Sequence, residues 1–182
     1  MNDWEERQKR YRYGTLVILP PSNIREAIDK LRKQYDPASQ MIFGAHITLT
    51  QPFLNCLSVI GLEQLQATAA RFKPFLINYG PLNNFLPYPC IYYEVHPTEK
   101  ILEIRRAMHR TGLFDLSAPH TDDFVPHMSI TDGQPDPSRT QEIFRELQKT
   151  TVGDSFECSE ISLINPDPYF HFKVIHKLPL RF

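Results

Sequence analysis

Two short segments of the chain repeat one spacing of chemically useful side chains. Residues 46–50 read HITLT and residues 127–131 read HMSIT, so each segment has a histidine, an apolar residue, a serine or threonine, an apolar residue and a threonine. The alternation of polar and apolar residues indicates a β-strand with one buried face. On such a strand the histidine, the central hydroxyl and the last threonine point to the same side, and each segment presents one imidazole beside hydroxyl groups.

A pair of imidazoles suits a displacement reaction at a phosphodiester. One ring takes a proton from the attacking oxygen, and the other ring gives a proton to the leaving oxygen. Because the ordinary pKa of histidine is about 6.5, one ring can be neutral while the other is protonated near neutral pH. We therefore predict that His46 and His127 are the catalytic acid and base, and that Thr48 and Ser129 donate hydrogen bonds to the phosphoryl oxygens. The pattern leaves open which histidine is the base.

The predicted mechanism uses no cofactor and no metal, and its rate should be highest within about one pH unit of neutrality. The other histidines are scattered along the chain without a convincing metal-binding spacing. Thr50 and Thr131 share the predicted face of the histidines. They are therefore candidates for binding substrate.

Each half of the chain predicts the same order of elements: strand, helix, histidine-containing strand, helix and strand. The first strand of each half is a short β-branched or aromatic run, and the helix after it has apolar residues at helical spacing. Arg32, in the first of these helices, is assigned to the solvent-exposed face. The predicted strands cover residues 14–19, 45–53, 75–79, 91–95, 124–131, 156–164 and 170–178, and the predicted helices cover residues 22–35, 62–72, 98–111 and 138–147.

The repeated order predicts an α+β fold. We expect a bilobal, pseudo-two-fold duplicated structure in which each lobe is an antiparallel or mixed sheet with helices on the outside, and a cleft between the lobes. The chain has 182 residues, of which 41% are hydrophobic. This is enough for a single domain over residues 1–182, with residues 1–12 as an N-terminal extension.

The composition excludes several classes of protein. The formal charge of -1 argues against binding of long duplexes by phosphate neutralisation alone, although one nucleotide or an RNA end remains possible as a partner. The three cysteines are widely spaced and odd in number, which favours reduced thiols over a disulfide framework. The sequence contains no apolar run of membrane-spanning length and no secretory signal. We expect a cytoplasmic monomer with no membrane association.

The two motifs resemble those of the two-histidine (2H) phosphoesterase superfamily, in its branch of 2'-5' RNA ligase-like proteins and cyclic phosphodiesterases. The His-x-Ser/Thr-x motifs of that family are matched at residues 46–49 and 127–130, and the resemblance extends over about residues 13–180. It implies a cleft that binds a nucleotide or RNA end bearing a 2',3'-cyclic phosphate or a 2'-5' linkage. Serine at position 129 replaces threonine, and neither motif has an arginine beside it, so the phosphate-anchoring cation is left unassigned.

Four further residues are candidates for lining the cleft. Tyr88 and Tyr92 lie in an aromatic, proline-rich segment that could stack on a base, although core packing is the alternative for Tyr92. Tyr169 precedes the last predicted strand, and His120 lies in the loop before the second motif. The acidic pair at residues 122–123 could orient an imidazole or form an exposed turn.

Two other functions use the same residues. A binding module would hold a nucleotide or RNA end without turnover, but binding alone does not require two opposed proton-transfer groups. A 2'-5' RNA ligase would run the displacement in reverse, with a 5'-hydroxyl attacking a cyclic phosphate. The sequence leaves the direction of the reaction open.

Overall fold

A computed structural model describes residues 4–133, 136–149 and 153–181, except for the side chain of Arg7. Eight strands occur in these residues: β1 (Thr15–Ile18), β2 (Ile47–Thr48), β3 (Phe75–Asn84), β4 (Ile91–His96), β5 (His127–Ser129), β6 (Asp154–Cys158), β7 (Glu160–Pro166) and β8 (Phe172–Pro179). The α-helices there are α1 (Glu6–Arg10), α2 (Ser22–Tyr35), α3 (Pro37–Ile42), α4 (Val59–Ala69), α5 (Thr98–His109) and α6 (Pro137–Leu147), and a 3₁₀ helix covers Tyr11–Tyr13.

The strands form two antiparallel sheets of four strands each. Their orders are β2-β1-β7-β8 and β5-β4-β3-β6, so each histidine segment contributes an edge strand to its own sheet. The two orders are related by a pseudo-two-fold exchange of β1 with β4 and of β2 with β5. The predicted α+β fold with duplicated sheets and surrounding helices is confirmed.

The sheets do not coincide with the two halves of the sequence. The last strand of the first half, β3, pairs with β4 of the second half, and β7 returns to pair with β1. One hydrophobic cluster includes Leu16 and Ile47 from the first sheet and Ile91 and Met128 from the second. Because strands are exchanged and the core is continuous, the two lobes are held in a defined relation.

Several predicted boundaries are wrong for identifiable reasons. The single strand predicted over residues 156–164 is two strands, because the chain leaves the second sheet after Cys158 and enters the first sheet at Glu160. The positions that this segment contributes to the main hydrophobic cluster change parity here, from 156 and 158 to 161 and 163. The segment predicted as a loop before the first motif contains α3, which begins with Asp36 accepting a hydrogen bond from the Ser39 N–H.

The N-terminal extension packs onto the rest of the chain. The indole of Trp4 donates a hydrogen bond to the carbonyl of Pro168 at 3.1 Å, and its ring meets Phe170 edge-on. Arg10 forms an ion pair with Asp115 at 3.4 Å. Residues 1–3 of the predicted extension lie outside the described residues.

A bulge ends each histidine segment and turns its last threonine inward. The N–H groups of Leu49 and Thr50 both approach the carbonyl of Leu16, at 2.9 and 3.3 Å. The hydroxyl of Thr50 in turn accepts a hydrogen bond from the Leu16 N–H at 3.1 Å. This bulge breaks the alternation of faces that the sequence pattern predicts.

The second segment repeats this arrangement on β4. The N–H groups of Ile130 and Thr131 approach the carbonyl of Ile91 at 2.7 and 3.2 Å, and the Thr131 hydroxyl accepts from the Ile91 N–H at 2.9 Å. Thr50 is 1% exposed and Thr131 is not exposed at all. The expectation that these two threonines line the cleft is therefore corrected, because their hydroxyls hold the strand ends together below the surface.

Replacing Thr50 or Thr131 by valine removes the hydroxyl and keeps the branched shape. Because a buried backbone N–H then loses its acceptor, we expect each variant to lose about 1–3 kcal/mol of unfolding free energy. Urea denaturation followed by circular dichroism measures this loss. Thr48→Val is the matched control at a partly exposed position of the same segment and should change the value by less than about 0.5 kcal/mol. Equal losses at positions 48 and 50 would contradict the assigned role.

Candidate active site

The imidazoles of His46 and His127 are held in the same way. Nδ1 of His46 lies 2.7 Å from the carbonyl oxygen of Gly44, and Nδ1 of His127 lies 2.7 Å from that of Val125. Each partner is the carbonyl two residues earlier, where the chain enters the motif strand. A carbonyl can only accept, so Nδ1 carries the hydrogen and Nε2 of each ring is left to exchange a proton.

The motif strands bring the two histidines and the two hydroxyl residues to one region. β2 and β5 pack against each other, and the four side chains of His46, Thr48, His127 and Ser129 are all partly exposed. The rings are close enough for the charge of one to lower the pKa of the other. The structure therefore unites the four residues that the sequence predicts as catalytic, although their role in a reaction stays a prediction.

Aromatic rings pack against each imidazole. The ring of Phe43 lies 5.1 Å from that of His46. On the other side, Phe85 and Tyr92 stack at 4.2 Å and meet the His127 ring at 5.1 and 5.2 Å. Tyr92 is 4% exposed, and its ring packs against Phe85 and His127 rather than within the main hydrophobic cluster. Contact of Tyr92 with a substrate base stays a prediction.

The other candidates for lining the cleft are Tyr88, Tyr169 and His120. The Tyr88 hydroxyl donates to Asp132 at 2.7 Å, beside the end of the second motif, and 43% of Tyr88 is exposed. Tyr169 is 81% exposed on the loop between β7 and β8. The carboxylate of Asp123 pairs with His120 at 3.2 Å. The group that orients His127 is the Val125 carbonyl. Substrate contacts of Tyr88, Tyr169 and His120 stay predictions.

Burial lowers the pKa of both histidines. The pKa of His46 falls to about 4, mainly through desolvation and then through the positive charge of Arg32, while the Gly44 carbonyl and the Asp132 charge act in the opposite direction. Desolvation also lowers the pKa of His127, against the Val125 carbonyl and Asp132. Both imidazoles are therefore neutral at pH 7 before a ligand binds.

Arg32 and Arg105 are parts of this region that the sequence analysis missed. Each is only 3% exposed. Nη1 of Arg32 donates to the Ser129 carbonyl at 2.7 Å, and Nη1 of Arg105 donates to the Leu49 carbonyl at 2.9 Å. The exposed placement predicted for Arg32 is thus wrong, because Ile24, Ile28 and Arg32 share the buried face of α2. Their spacing of four residues was the signal that could have indicated this.

The described part of the chain contains neither a metal-binding cluster nor a membrane-spanning helix. Across residues 4–133, 136–149 and 153–181, no group of three or more histidine, cysteine, aspartate or glutamate side chains is arranged to hold a metal ion. Among the helices of the same residues, none has the length and apolar character needed to cross a bilayer.

The duplicated sheets and the paired histidine strands define a two-lobed α+β fold, and comparison with known proteins gives the family. Residues 20–169 match the family described as the 2'-5' RNA ligase superfamily. The chain belongs to this superfamily of 2H phosphoesterases, as the resemblance of its two motifs predicts.

Sequence relatives agree with this assignment, and solved structures of lower identity share the fold. A protein of Oceanobacillus iheyensis, provisionally named a phosphoesterase, is 31% identical over 122 residues, which are 65% of this chain and 69% of that protein. A Bacillus cereus protein with the same provisional name is 31% identical over 126 residues, 66% of this chain and 70% of that one. Escherichia coli LigT with 3'-AMP has a TM-score of 0.60 at 18% identity, covering 93% of this chain and 98% of LigT. A Thermus thermophilus structure gives 0.58 at 18%, covering 92% and 97%.

Nuclear magnetic resonance can test the protonation states of the two histidines. Long-range ¹H–¹⁵N spectra at pH 7 should show both rings neutral with the hydrogen on Nδ1, and His46 should titrate near pH 4. Because the unfolded imidazole binds its proton at an ordinary pKa of about 6.5, the unfolding free energy should fall as the pH drops through this interval. Titration of His46 at its ordinary value would contradict the stated effects of burial and Arg32.

Proposed function

We propose that this protein is a metal-independent phosphodiesterase that acts on 2',3'-cyclic phosphates or 2'-5' linked RNA ends and nucleotides. The observation that carries the proposal is the matched pair of imidazoles, each with Nδ1 bound to a carbonyl and Nε2 available beside a hydroxyl residue. An in-line displacement needs one group that accepts a proton and another that donates one. Two imidazoles oriented in the same way on neighbouring edge strands supply both.

The proposed reaction balances without a cofactor. Nε2 of the basic histidine takes a proton from the attacking water as its oxygen bonds to phosphorus. Nε2 of the second histidine, protonated when the anionic phosphate binds, gives its proton to the departing ribose oxygen as the P–O bond breaks. Thr48 and Ser129 donate hydrogen bonds to the non-bridging oxygens, where negative charge is greatest. After hydrolysis the basic histidine carries the proton taken from water, and the second histidine is neutral. Proton exchange with solvent restores the starting state of both rings.

The surroundings of the two rings favour one assignment of roles. The positive charge of Arg32 opposes protonation of His46, whereas burial lowers the pKa of His127. We therefore assign His46 as the base and His127 as the acid in the hydrolytic direction. The roles exchange in the reverse direction, by microscopic reversibility.

Nucleotides and RNA ends are the proposed substrates. Solved LigT structures contain 3'-AMP, NADP+ or ATP, and LigT has the same fold as this chain at under 20% identity. A 2'-5' RNA ligase activity is the second candidate, favoured by the description of the matching superfamily. It would use the same two histidines with a 5'-hydroxyl in place of water.

Alanine substitutions test the assigned histidines. His46→Ala and His127→Ala should each lower the hydrolysis of 2',3'-cyclic AMP by about 10²–10⁴-fold with the fold retained, as expected for loss of a general acid or base. The loss in His127→Ala should be smaller for a nitrophenyl phosphodiester, because nitrophenolate leaves without a proton, whereas His46→Ala should show no such recovery. His176→Ala, at an exposed position of β8, is the control that should keep the wild-type rate. Wild-type turnover in both motif variants would refute the mechanism, and binding of 2',3'-cyclic AMP without turnover in the wild type would favour a binding module.

The pH dependence and the effect of chelators test the same mechanism independently. The value of kcat/KM reports groups of the free enzyme, and both histidines have lowered pKa values, so its maximum should lie below about pH 6.5. The expected optimum of kcat/KM is therefore more acidic than neutrality, around which the sequence analysis centres the rate. The maximum of kcat should lie at higher pH, because bound phosphate stabilises the imidazolium. Excess chelator should change neither curve, and recovery of activity by added metal would overturn the proposal.

A further inference from the structure

We propose that Arg32 and Arg105 are a reciprocal pair of positioning residues that set the placement of His46 relative to His127. The inference rests on the proposed function, since it concerns the geometry of the same reaction. Arg32 comes from α2, whose neighbouring strands belong to the first sheet, and Arg105 comes from α5, next to the second sheet. Each guanidinium binds the motif segment of the other sheet.

Arg32 connects the two motif segments through the two ends of one guanidinium. Nη1 donates to the carbonyl of Ser129 in β5 at 2.7 Å, and Nη2 donates to the carbonyl of Phe43 at 3.1 Å. Phe43 lies three residues before His46, and its ring packs on that imidazole. Because a guanidinium is planar and rigid, these two bonds fix the entry to the first motif against the strand of the second.

Arg105 makes the converse connection. Nη1 donates to the carbonyl of Leu49, in the first motif, at 2.9 Å. Its guanidinium carbon lies 4.0 Å from the ring centroid of Phe124, which is three residues before His127. Arg105 therefore joins the end of the His46 motif to the segment that enters the His127 motif. Arg32 makes the opposite connection, from the His127 motif to the segment that enters the His46 motif.

The residue after each motif adds a second reciprocal contact. The N–H of Gln51 donates to Nε2 of His109, at the end of α5, at 3.1 Å. The N–H of Asp132 donates to the carboxylate of Asp36, at the end of α2, at 2.7 Å. Each motif is thus anchored at its end to the helix that belongs to the other sheet.

The environment of the arginines argues that geometry is their main contribution. Burying a charge is costly, and apolar residues of similar size often give equal or greater stability. Arg105 is bound by carbonyls and one aromatic ring, and desolvation lowers its pKa to about 10. What an apolar side chain cannot supply is a rigid fork with donors in two fixed directions. Two such forks constrain the separation of the motifs, on which a displacement with an acid and a base on opposite sides depends.

Variants of both arginines test the proposal with 2',3'-cyclic AMP as the probe. We expect Arg32→Met and Arg105→Met to lower kcat by about 10²-fold with KM changed by less than about 3-fold, because misplacement of about 1 Å has this effect on rate. Lysine at either position keeps the charge but loses the fork, so it should not restore kcat. Lys33→Met and Arg106→Met, at exposed neighbouring positions, are the matched controls and should keep the wild-type kcat.

Further measurements separate positioning from stability alone. All rates are taken at a temperature where circular dichroism shows each variant folded. The double variant of Arg32 and Arg105 should lose little more kcat than either single variant, since both act on one geometry. Folded variants that are less stable but keep the wild-type kcat would overturn the proposal, as would full rescue by lysine. Should the methionine variants fail to fold, the lysine variants carry the same test, with loss of kcat expected.

Backbone spectra provide a readout that does not depend on activity. In ¹H–¹⁵N correlation spectra, Arg32→Met or its lysine counterpart should shift the amides of residues 127–131, and Arg105→Met or its lysine counterpart should shift those of residues 46–50. The two control variants should move neither set. If the wild type hydrolyses none of the proposed substrates, the proposed function fails, but these spectra still test the positioning role of the two arginines. That role would be overturned if replacing an arginine left the amides of the motif that it contacts unchanged.

Discussion

The hydrogen bond from each histidine Nδ1 to the carbonyl two residues earlier is the interaction on which the candidate chemistry depends. It fixes the ring orientation and the tautomer together, at 2.7 Å in both motifs. The carbonyls of Gly44 and Val125 can play this part because each lies two residues before its histidine, where the chain enters the edge strand. In each motif the imidazole and the neighbouring hydroxyl residue are therefore positioned by the same edge strand.

The pseudo-two-fold arrangement makes this local geometry useful. A single imidazole beside a hydroxyl is a common feature of a sheet edge, whereas two on neighbouring edges can act on opposite sides of one phosphorus. The exchange of β3 and β7 between the sheets, and a core continuous across them, keep these edges in a constant relation. Arg32 and Arg105 act at the same junction, where each binds the backbone of the opposite motif.

The electrostatics of the site are not symmetric, although its backbone is. Arg32 lies close enough to His46 to lower its pKa, whereas the corresponding effect of Arg105 falls on His109, which is not a motif histidine. Asp132 favours the charged form of both motif histidines. A duplicated scaffold can thus place two rings of one chemical type in different electrostatic surroundings, which suits an acid and base pair.

The sequence by itself determined the fold class, the duplicated order of elements and the residues that meet in the candidate site. It could do so because strand alternation and helical spacing are local, and because the motif occurs twice. Only the tertiary structure decided the burial of Thr50 and Thr131, since a bulge forms against the neighbouring strands β1 and β4. It also decided the exchange of strands and the burial of Arg32 and Arg105, because these depend on hydrogen bonds between residues far apart in the chain.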